Sequence, residues 1–483
     1  MNIVYLGAPI TVNLSVGQTI AVNTNGTVTV ECVSGLGLTD GATIGSIHGS
    51  ATYGPFSAVG VARITATVRD GAYEVSDGQP IPIDTVLASS GQTVLDDASR
   101  TALASSGLNL GASASVLNLK ASNTTITRNM LASSGVTRGI LQFVGDSFIQ
   151  GRGANGNGDV GARPKSWPVQ AVSVLNTLGY TAQADSVCGW GSVSPSTIDG
   201  YIAYDPRVSY SGTVTKYSGI AGLGYEMFQL AAGATLTFTP GGTFDTVDVF
   251  YAAKAAGATS TFTVSDAGGV KATIDCNVGT AAIQKTTVTL AAGSTYVTFT
   301  GGAAASTISF FKTRTVATPV IEAINCGQAG KPVQQWAPTA GAAPYGTQAS
   351  LDLVDSGLSA VTVIDGWYND LKTPRTLAQL QTDLRALCAW AKTKGDLWYV
   401  NYAKLNPAQV DEATFTLWSQ AAIDIVINEY DGVVVNMAKI IPDNAAAYTQ
   451  GLINTDLLHL QKGGHTLTAR AFANAMASCI ALG

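Results

Sequence analysis

Short runs of alternating apolar and polar residues dominate the first 80 positions. ITVNL (10–14), TIAVNT (19–24), GTVTVECV (26–33) and ARITATVRDG (62–71) are separated by Gly and Asn. Alternation of period two with turn residues between predicts a small β-domain over 1–80. The pattern is lost over 81–136, where Ser, Ala, Thr and Asn dominate and LASSG occurs at Leu87, Leu103 and Leu131. Spacings of 16 and 28 residues are too irregular for a solenoid, so this stretch is expected to be a connector. From Gly139 the apolar run ILQFV predicts a strand buried on both faces, as in a parallel sheet. Helical and strand-like segments then alternate. Trp167–Leu178 reads as a helix, AVTVID (360–365) as a strand, and LAQLQTDLRALCAWAKTKG (377–395) as an amphipathic helix. DLWYVNY (396–402) and GVVVNM (432–437) read as strands, AAIDIVINEY (421–430) starts as a helix, and TLTARAFANAMASCIALG (466–483) reads as a terminal helix. Such alternation indicates a three-layer α/β domain. It is interrupted over 206–318 by seven short strand patterns with turn signals between them, which predict an inserted antiparallel β-sandwich. The α/β domain is thus expected in two parts, 137–205 and 319–483.

Composition narrows the function classes. Of 483 residues 53 are Gly, and charged residues make up 12%, against about 25% in an average globular domain. The net charge is −6 and no Lys/Arg cluster stands out, so nucleic-acid binding has no electrostatic support. No strongly apolar run is long enough to span a membrane, and Met1–Val12 lacks the basic and apolar regions of a signal peptide. The six cysteines, at 32, 188, 276, 326, 388 and 479, form no C-x-x-C pair, which argues against a structural zinc site or a dense disulfide framework. His48, His459 and His465 are the only histidines, so few side chains can serve as a base near neutral pH.

Three patches carry candidate chemistry. Gly145-Asp146-Ser147 ends the first buried strand, where nucleophiles of open α/β sheets lie, and a serine there needs a base. Asp456-Leu-Leu-His459 supplies an imidazole with a carboxylate three residues before it, able to fix the ring's tautomer. His465 follows Gly463-Gly464 at a helix start, where the helix dipole disfavours a protonated ring, and is expected to be structural. An oxyanion needs preorganised donors. Candidates are the Ser147 N–H, the backbone N–H of Gly330 in NCGQAGKPVQQW, and the Asn369 amide after the 360–365 strand. Gly191 in CGWGS is a second candidate for the glycine. Each short motif alone also fits a turn or a cap.

The order Gly-Asp-Ser, Gly330, Asn369, Asp-x-x-His resembles the SGNH (GDSL-type) hydrolases over roughly 137–483. The sandwich between the serine and glycine blocks, followed by CGQAGKPVQQW, is similar to the peptidoglycan O-acetylesterases of that superfamily and favours Gly330 over Gly191. Leu460 stands where the family often has proline, and Trp367-Tyr368 where small residues precede the asparagine. The resemblance implies a flavodoxin-like α/β fold and a carbohydrate-binding-like insert. Its catalytic set would be Ser147, Asp456 and His459, with Ser147, Gly330 and Asn369 as oxyanion donors and no metal or cofactor. Trp367 and Tyr368 flank Asn369 and are expected to bind substrate; Trp190 and Trp336 could also stack on sugars.

The low-charge β-rich N-terminal part, the Ser/Ala-rich connector and the missing secretion signal resemble phage tail proteins. That resemblance implies a homotrimeric tail-fibre or tailspike esterase among other virion tail proteins, acting on acetylated polysaccharide at the host bacterial surface. The alternatives are a catalytically silent glycan-binding adhesin and a cellular peptidoglycan esterase or lipase.

Overall fold

The computed structural model describes the backbone of six strands within residues 2–76, and residues 115–156, 159–188, 197–217, 227–254, 260–337, 358–441 and 443–482. Met1–Leu108 and Asn109–Gly483 are two compact units. In the first, the six strands form one antiparallel sheet around the long strand Thr19–Gly35, which pairs with Thr43–Tyr53, Gly60–Ala66 and Gly71–Ser76. The sequence pattern suggests a turn at Asn25-Gly26. The strand instead runs through it, with a register shift between Thr24 and Thr27 that takes up the extra residues as a bulge.

The second unit is built on a seven-stranded sheet. Its order is Val116–Leu117, Val433–Asn436, Gly395–Asn401, Ala360–Ile364, Gly139–Val144, Ile321–Asn325, Ala182–Gln183. All pairings are parallel except that of the Val116–Leu117 edge. Every residue of Gly139–Val144 is buried, Gln142 included, as its largely apolar run predicts for a strand with helices on both faces. After this strand the chain first builds one side of the sheet and then the other. The carboxyl end of Gly139–Val144 therefore lies at the topological switch point, where such sheets place their sites.

The edge strand corrects the expected connector. Residues 115–136 belong to the α/β unit: Val116–Leu117 joins the sheet, and helix Thr125–Ala132 docks on it. The Thr127 N–H and hydroxyl both donate to Asp396, at 2.6 and 2.8 Å.

The insert is a sandwich of a six-stranded and a five-stranded antiparallel sheet. Phe228, Phe238, Val249, Phe262, Phe299 and Phe311 fill the space between them. The seven expected strands are all present. Ser186–Cys188, Val208–Ser211, Val214–Tyr217 and Met227–Leu230 were not read from the sequence. Ser186–Cys188 pairs with Ser306–Arg314, and Tyr201 and Tyr204 enter the sandwich core. The sandwich therefore starts before the expected boundary at 206.

Buried charges join the sandwich to the α/β sheet. Glu322, on a sheet strand, accepts from Arg138 and from Lys312 Nζ (2.8 Å); Asp248 lies near Arg314, Arg138 and Lys285 at 3.4–3.7 Å. Burial pushes the Glu322 carboxyl up, but Lys312 and Arg138 outweigh it and hold it below its ordinary value. Replacing Glu322 with Gln leaves Lys312 buried without its nearest counter-charge. The expected cost is roughly 3–5 kcal/mol, read from chemical unfolding by tryptophan fluorescence, since all seven tryptophans lie in the second unit.

Candidate active site

The strand Gly139–Val144 ends in a tight turn into the four-residue helix Ser147–Gln150. Asp146 caps this helix, its Oδ1 accepting the Phe148 N–H at 3.0 Å. Gly145 has to be glycine here, because a Cβ at that position would lie 1.7 Å from Asp365 Oδ1. Asp365 ends the neighbouring strand and accepts the Asp146 N–H at 2.9 Å. The Ser147 side chain thus stands at the first helical position, held by a strand, a cap and a neighbouring carboxyl.

Ser147, His459 and Asp456 are brought together across 312 positions of chain. His459 Nε2 lies 2.8 Å from Ser147 Oγ, and His459 Nδ1 lies 2.6 Å from Asp456 Oδ2. The other Asp456 oxygen accepts the N–H groups of Leu458 and His459, both at 3.0 Å. Burial opposes ionisation of Asp456, but the His459 ring and these N–H groups bring its pKa down to about 2. The connecting Leu457 takes φ +57°, a conformation that costs a non-glycine residue about 1 kcal/mol or more. Closure of the loop compensates: Asn454 N–H donates to the His459 carbonyl at 2.7 Å, and Gln461 N–H to that of Leu452 at 2.9 Å.

His465 stands apart from this set. Its Nδ1 accepts the Trp167 N–H at 3.3 Å and its Nε2 faces the Arg152 carbonyl at 3.1 Å, which fixes a neutral ring protonated on Nε2. Full burial lowers its pKa from 6.5 to about 4. The unfolded chain therefore takes up a proton before the folded one. This contribution is complete above pH 6.5 and is lost as pH falls toward 4. Between pH 7 and pH 4.5 His465 should account for roughly 2–3 kcal/mol of lost stability. His465→Gln is expected to remove that part of the acid slope in urea unfolding followed at both pH values.

The loop after strand Ile321–Asn325 packs against the nucleophile helix, with Ala329 N–H donating to Gln150 Oε1 at 2.6 Å. Gly330 follows at φ +75°, a conformation favouring glycine, and is partly exposed. Among the described residues, neither the Ser147 nor the Gly330 N–H has an acceptor. Asn369 opens the short helix after the adjacent strand, and Val333 N–H donates to Asp370 Oδ2 at 2.8 Å, joining that helix to the Gly330 loop. The Asn369 amide is not idle: its Nδ2 donates to Asp146 Oδ2 at 2.8 Å and, at the longer 3.3 Å, to the Lys331 carbonyl.

The aromatic expectation needs correcting. Trp367 is 0% exposed, edge-on to Tyr402 and Phe415, so its ring belongs to the core and offers no face to a sugar. Trp336 is buried as well. Tyr368 is 7% exposed; its hydroxyl donates to Gln409 Oε1 at 3.1 Å, and Gln409 Nε2 donates to the Asp456 carbonyl at 3.2 Å. Tyr368 therefore lies against the acid loop. Gly191 and Trp190 lie outside the described residues. Sequence reasoning missed Tyr402, whose hydroxyl lies 2.7 Å from Asp146 Oδ2, and Gln409. The available signal for Tyr402 was its place at the carboxyl end of a buried strand. No group of three or more His, Cys, Asp or Glu able to hold a metal ion, and no helix long and apolar enough to cross a membrane, occurs among the described residues.

No family model matches this sequence. No curated protein sequence matches it either. Among solved structures, a peptidoglycan O-acetylesterase aligns over 76% of this chain and 99% of its own, at 16% identity and a TM-score of 0.55. A family two carbohydrate esterase from Clostridium thermocellum aligns over 55% of this chain and 97% of its own, at 11% identity and a TM-score of 0.25. A lipase/acylhydrolase from Enterococcus faecalis covers 32% of this chain and 74% of its own, at 13% identity and a TM-score of 0.24. With its order of sheet strands, its nucleophile turn at the switch point and its likeness to the first of these structures, the second unit has the SGNH-hydrolase fold with an inserted antiparallel β-sandwich.

Proposed function

We propose that this protein is a serine esterase that removes O-acetyl groups from a bacterial surface polysaccharide. The observation that carries the reading is the bridge made by His459, 2.8 Å from Ser147 Oγ on one side and 2.6 Å from Asp456 on the other. Asp456 accepts from Nδ1–H, which leaves Nε2 unprotonated and facing the serine hydroxyl. Ser147 Oγ attacks the ester carbonyl as His459 takes its proton. His459 returns that proton to the departing sugar hydroxyl, leaving an acyl-serine. A water, deprotonated by His459, then releases the acid and restores Ser147.

Charge on the carbonyl oxygen is met by the Ser147 and Gly330 N–H groups, which have no acceptor of their own, and by Asn369. The Asp146 bond holds the asparagine amide, and the other amide proton, in the longer contact to the Lys331 carbonyl, is the one shared with the oxyanion. Asn369→Ala should reduce turnover roughly 100- to 1,000-fold, measured as kcat on 4-nitrophenyl acetate. A change under about threefold would remove Asn369 from this role.

The acetylated glycan as substrate is supported by the shared fold with a peptidoglycan O-acetylesterase, whose chain is covered almost throughout. A role in a phage tail fibre or tailspike, as a homotrimer beside other tail proteins, is a further part of the proposal. It rests on the low-charge β-rich N-terminal part and the Ser/Ala-rich stretch after it. Acetate release from acetylated bacterial polysaccharides, peptidoglycan and long-chain acyl esters tests the substrate class. Preference for acetylated surface polysaccharide is the expected result, and preference for long acyl chains would overturn it. A monomer by light scattering would overturn the trimer.

A further inference from the structure

The residues beneath the nucleophile carry an inference that deepens the esterase reading and rests on it. Tyr402 directly follows the strand Gly395–Asn401. Its buried ring packs on Phe148, with centroids 4.4 Å apart, and edge-on to Trp367 at 5.2 Å. Its hydroxyl receives the Trp367 N–H at 3.3 Å and lies 2.7 Å from Asp146 Oδ2. The Trp367 N–H can only donate and the phenol has a single proton, so that proton goes to Asp146. The same oxygen takes the Asn369 amide at 2.8 Å, and the other takes the Phe148 N–H. Three donors therefore converge on one buried carboxylate.

A second carboxyl, Asp365, lies alongside. One of its oxygens accepts the Asp146 N–H, and the other is buried without a hydrogen-bond partner. Burial and then the charge of Asp146 push Asp365 well above the usual carboxylate range. Burial raises Asp146 too, and the Tyr402 and Phe148 hydrogen bonds offset part of that rise. With three donors on Asp146 and the Asp146 N–H on Asp365, the hydrogen bonds favour negative charge on Asp146 over Asp365.

We propose that Tyr402 is a positioning residue for ester hydrolysis: its hydroxyl fixes the Asp146 carboxylate that holds the Asn369 amide toward the oxyanion. Without the hydroxyl, Asp146 Oδ2 loses one of its two donors, and the carboxylate that orients the Asn369 amide is held only by the Phe148 N–H on its other oxygen. Tyr402 touches neither serine nor substrate, so its effect passes through Asn369.

A kinetic double-mutant cycle on 4-nitrophenyl acetate tests this, using Tyr402→Phe, Asn369→Ala and both together. Tyr402→Phe keeps the ring packing and should lower kcat roughly tenfold with KM within about twofold, the loss expected for one hydrogen bond to a charged group. In the Asn369→Ala background the same change should alter kcat by less than about twofold. Equal losses in both backgrounds, or no loss in Tyr402→Phe alone, would overturn the proposal. Asp146→Asn, whose oxygen can keep the Phe148 N–H while its amide sets a donor against the Asn369 amide, should lower kcat at least tenfold and lose that effect in the Asn369→Ala background; it decides the matter if Tyr402→Phe fails to fold by near-UV circular dichroism. Full activity in Asn369→Ala would also overturn it. Loss of activity in Ser147→Ala separates that failure from failure of the serine-esterase reading.

Discussion

Replacing Ser147 with alanine should lower kcat on acetyl esters by about a millionfold, to the background of the assay, because nothing else at the site can form the acyl intermediate. The substitution is mild in structural terms. Ser147 occupies the first position of a helix capped by Asp146, and its hydroxyl bonds only to His459 Nε2. Unfolding of the variant should match the parent within about 1.5 kcal/mol, the range for one lost hydrogen bond. Loss of activity with unchanged stability separates a chemical role from a structural one. A variant that retained even one hundredth of the parent rate would show that the ester is cleaved by another group.

The second large effect is expected at Asp456. Asp456→Asn should reduce kcat by about ten thousandfold, with a much smaller change in KM. Asparagine can keep the Leu458 and His459 N–H bonds through its carbonyl oxygen, so the strained turn at Leu457 survives. Its amide then faces Nδ1 as a donor, which forces the proton onto Nε2 and leaves no lone pair for the serine proton. The acid limb of the activity profile gives a second check. With its pKa down at about 2, Asp456 stays ionised through the range in which esters are assayed. Loss of parental activity between pH 7 and pH 5 therefore cannot come from protonation of Asp456. If the asparagine variant kept more than about a tenth of the parent kcat, tautomer control by Asp456 would be excluded.

The parallel sheet was legible because strands buried on both faces are predominantly apolar, as ILQFV and AVTVI are with one polar residue each. The meeting of Ser147, His459 and Asp456 was legible for a related reason: they sit at the carboxyl end of a strand or in a short local motif, and only three histidines compete. The sandwich was legible where the alternating sequence runs on past the strand itself, as ATLTFTP does around the four-residue strand Thr235–Phe238. Four other strands of three or four residues were not read. Trp367 was misplaced because neighbours in sequence diverge in space. Asn369 faces Asp146, while Trp367, two residues earlier, turns back under the strand ends onto Phe415. The roles of Tyr402 and Asp365 were missed for a different reason, although both stand at carboxyl ends of buried strands. Each acts by a contact more than 200 positions away along the chain, to Asp146, and no local pattern encodes such a contact.

The most direct test of the central claim is to map the site of covalent modification by a fluorophosphonate, which reacts with an activated serine hydroxyl as an ester carbonyl does. Intact mass should show one adduct, peptide mapping should place it on Ser147, and His459→Ala should slow its formation to background. No adduct, or an adduct on another serine that forms equally fast without His459, would contradict the assignment of Ser147, His459 and Asp456 as a catalytic unit.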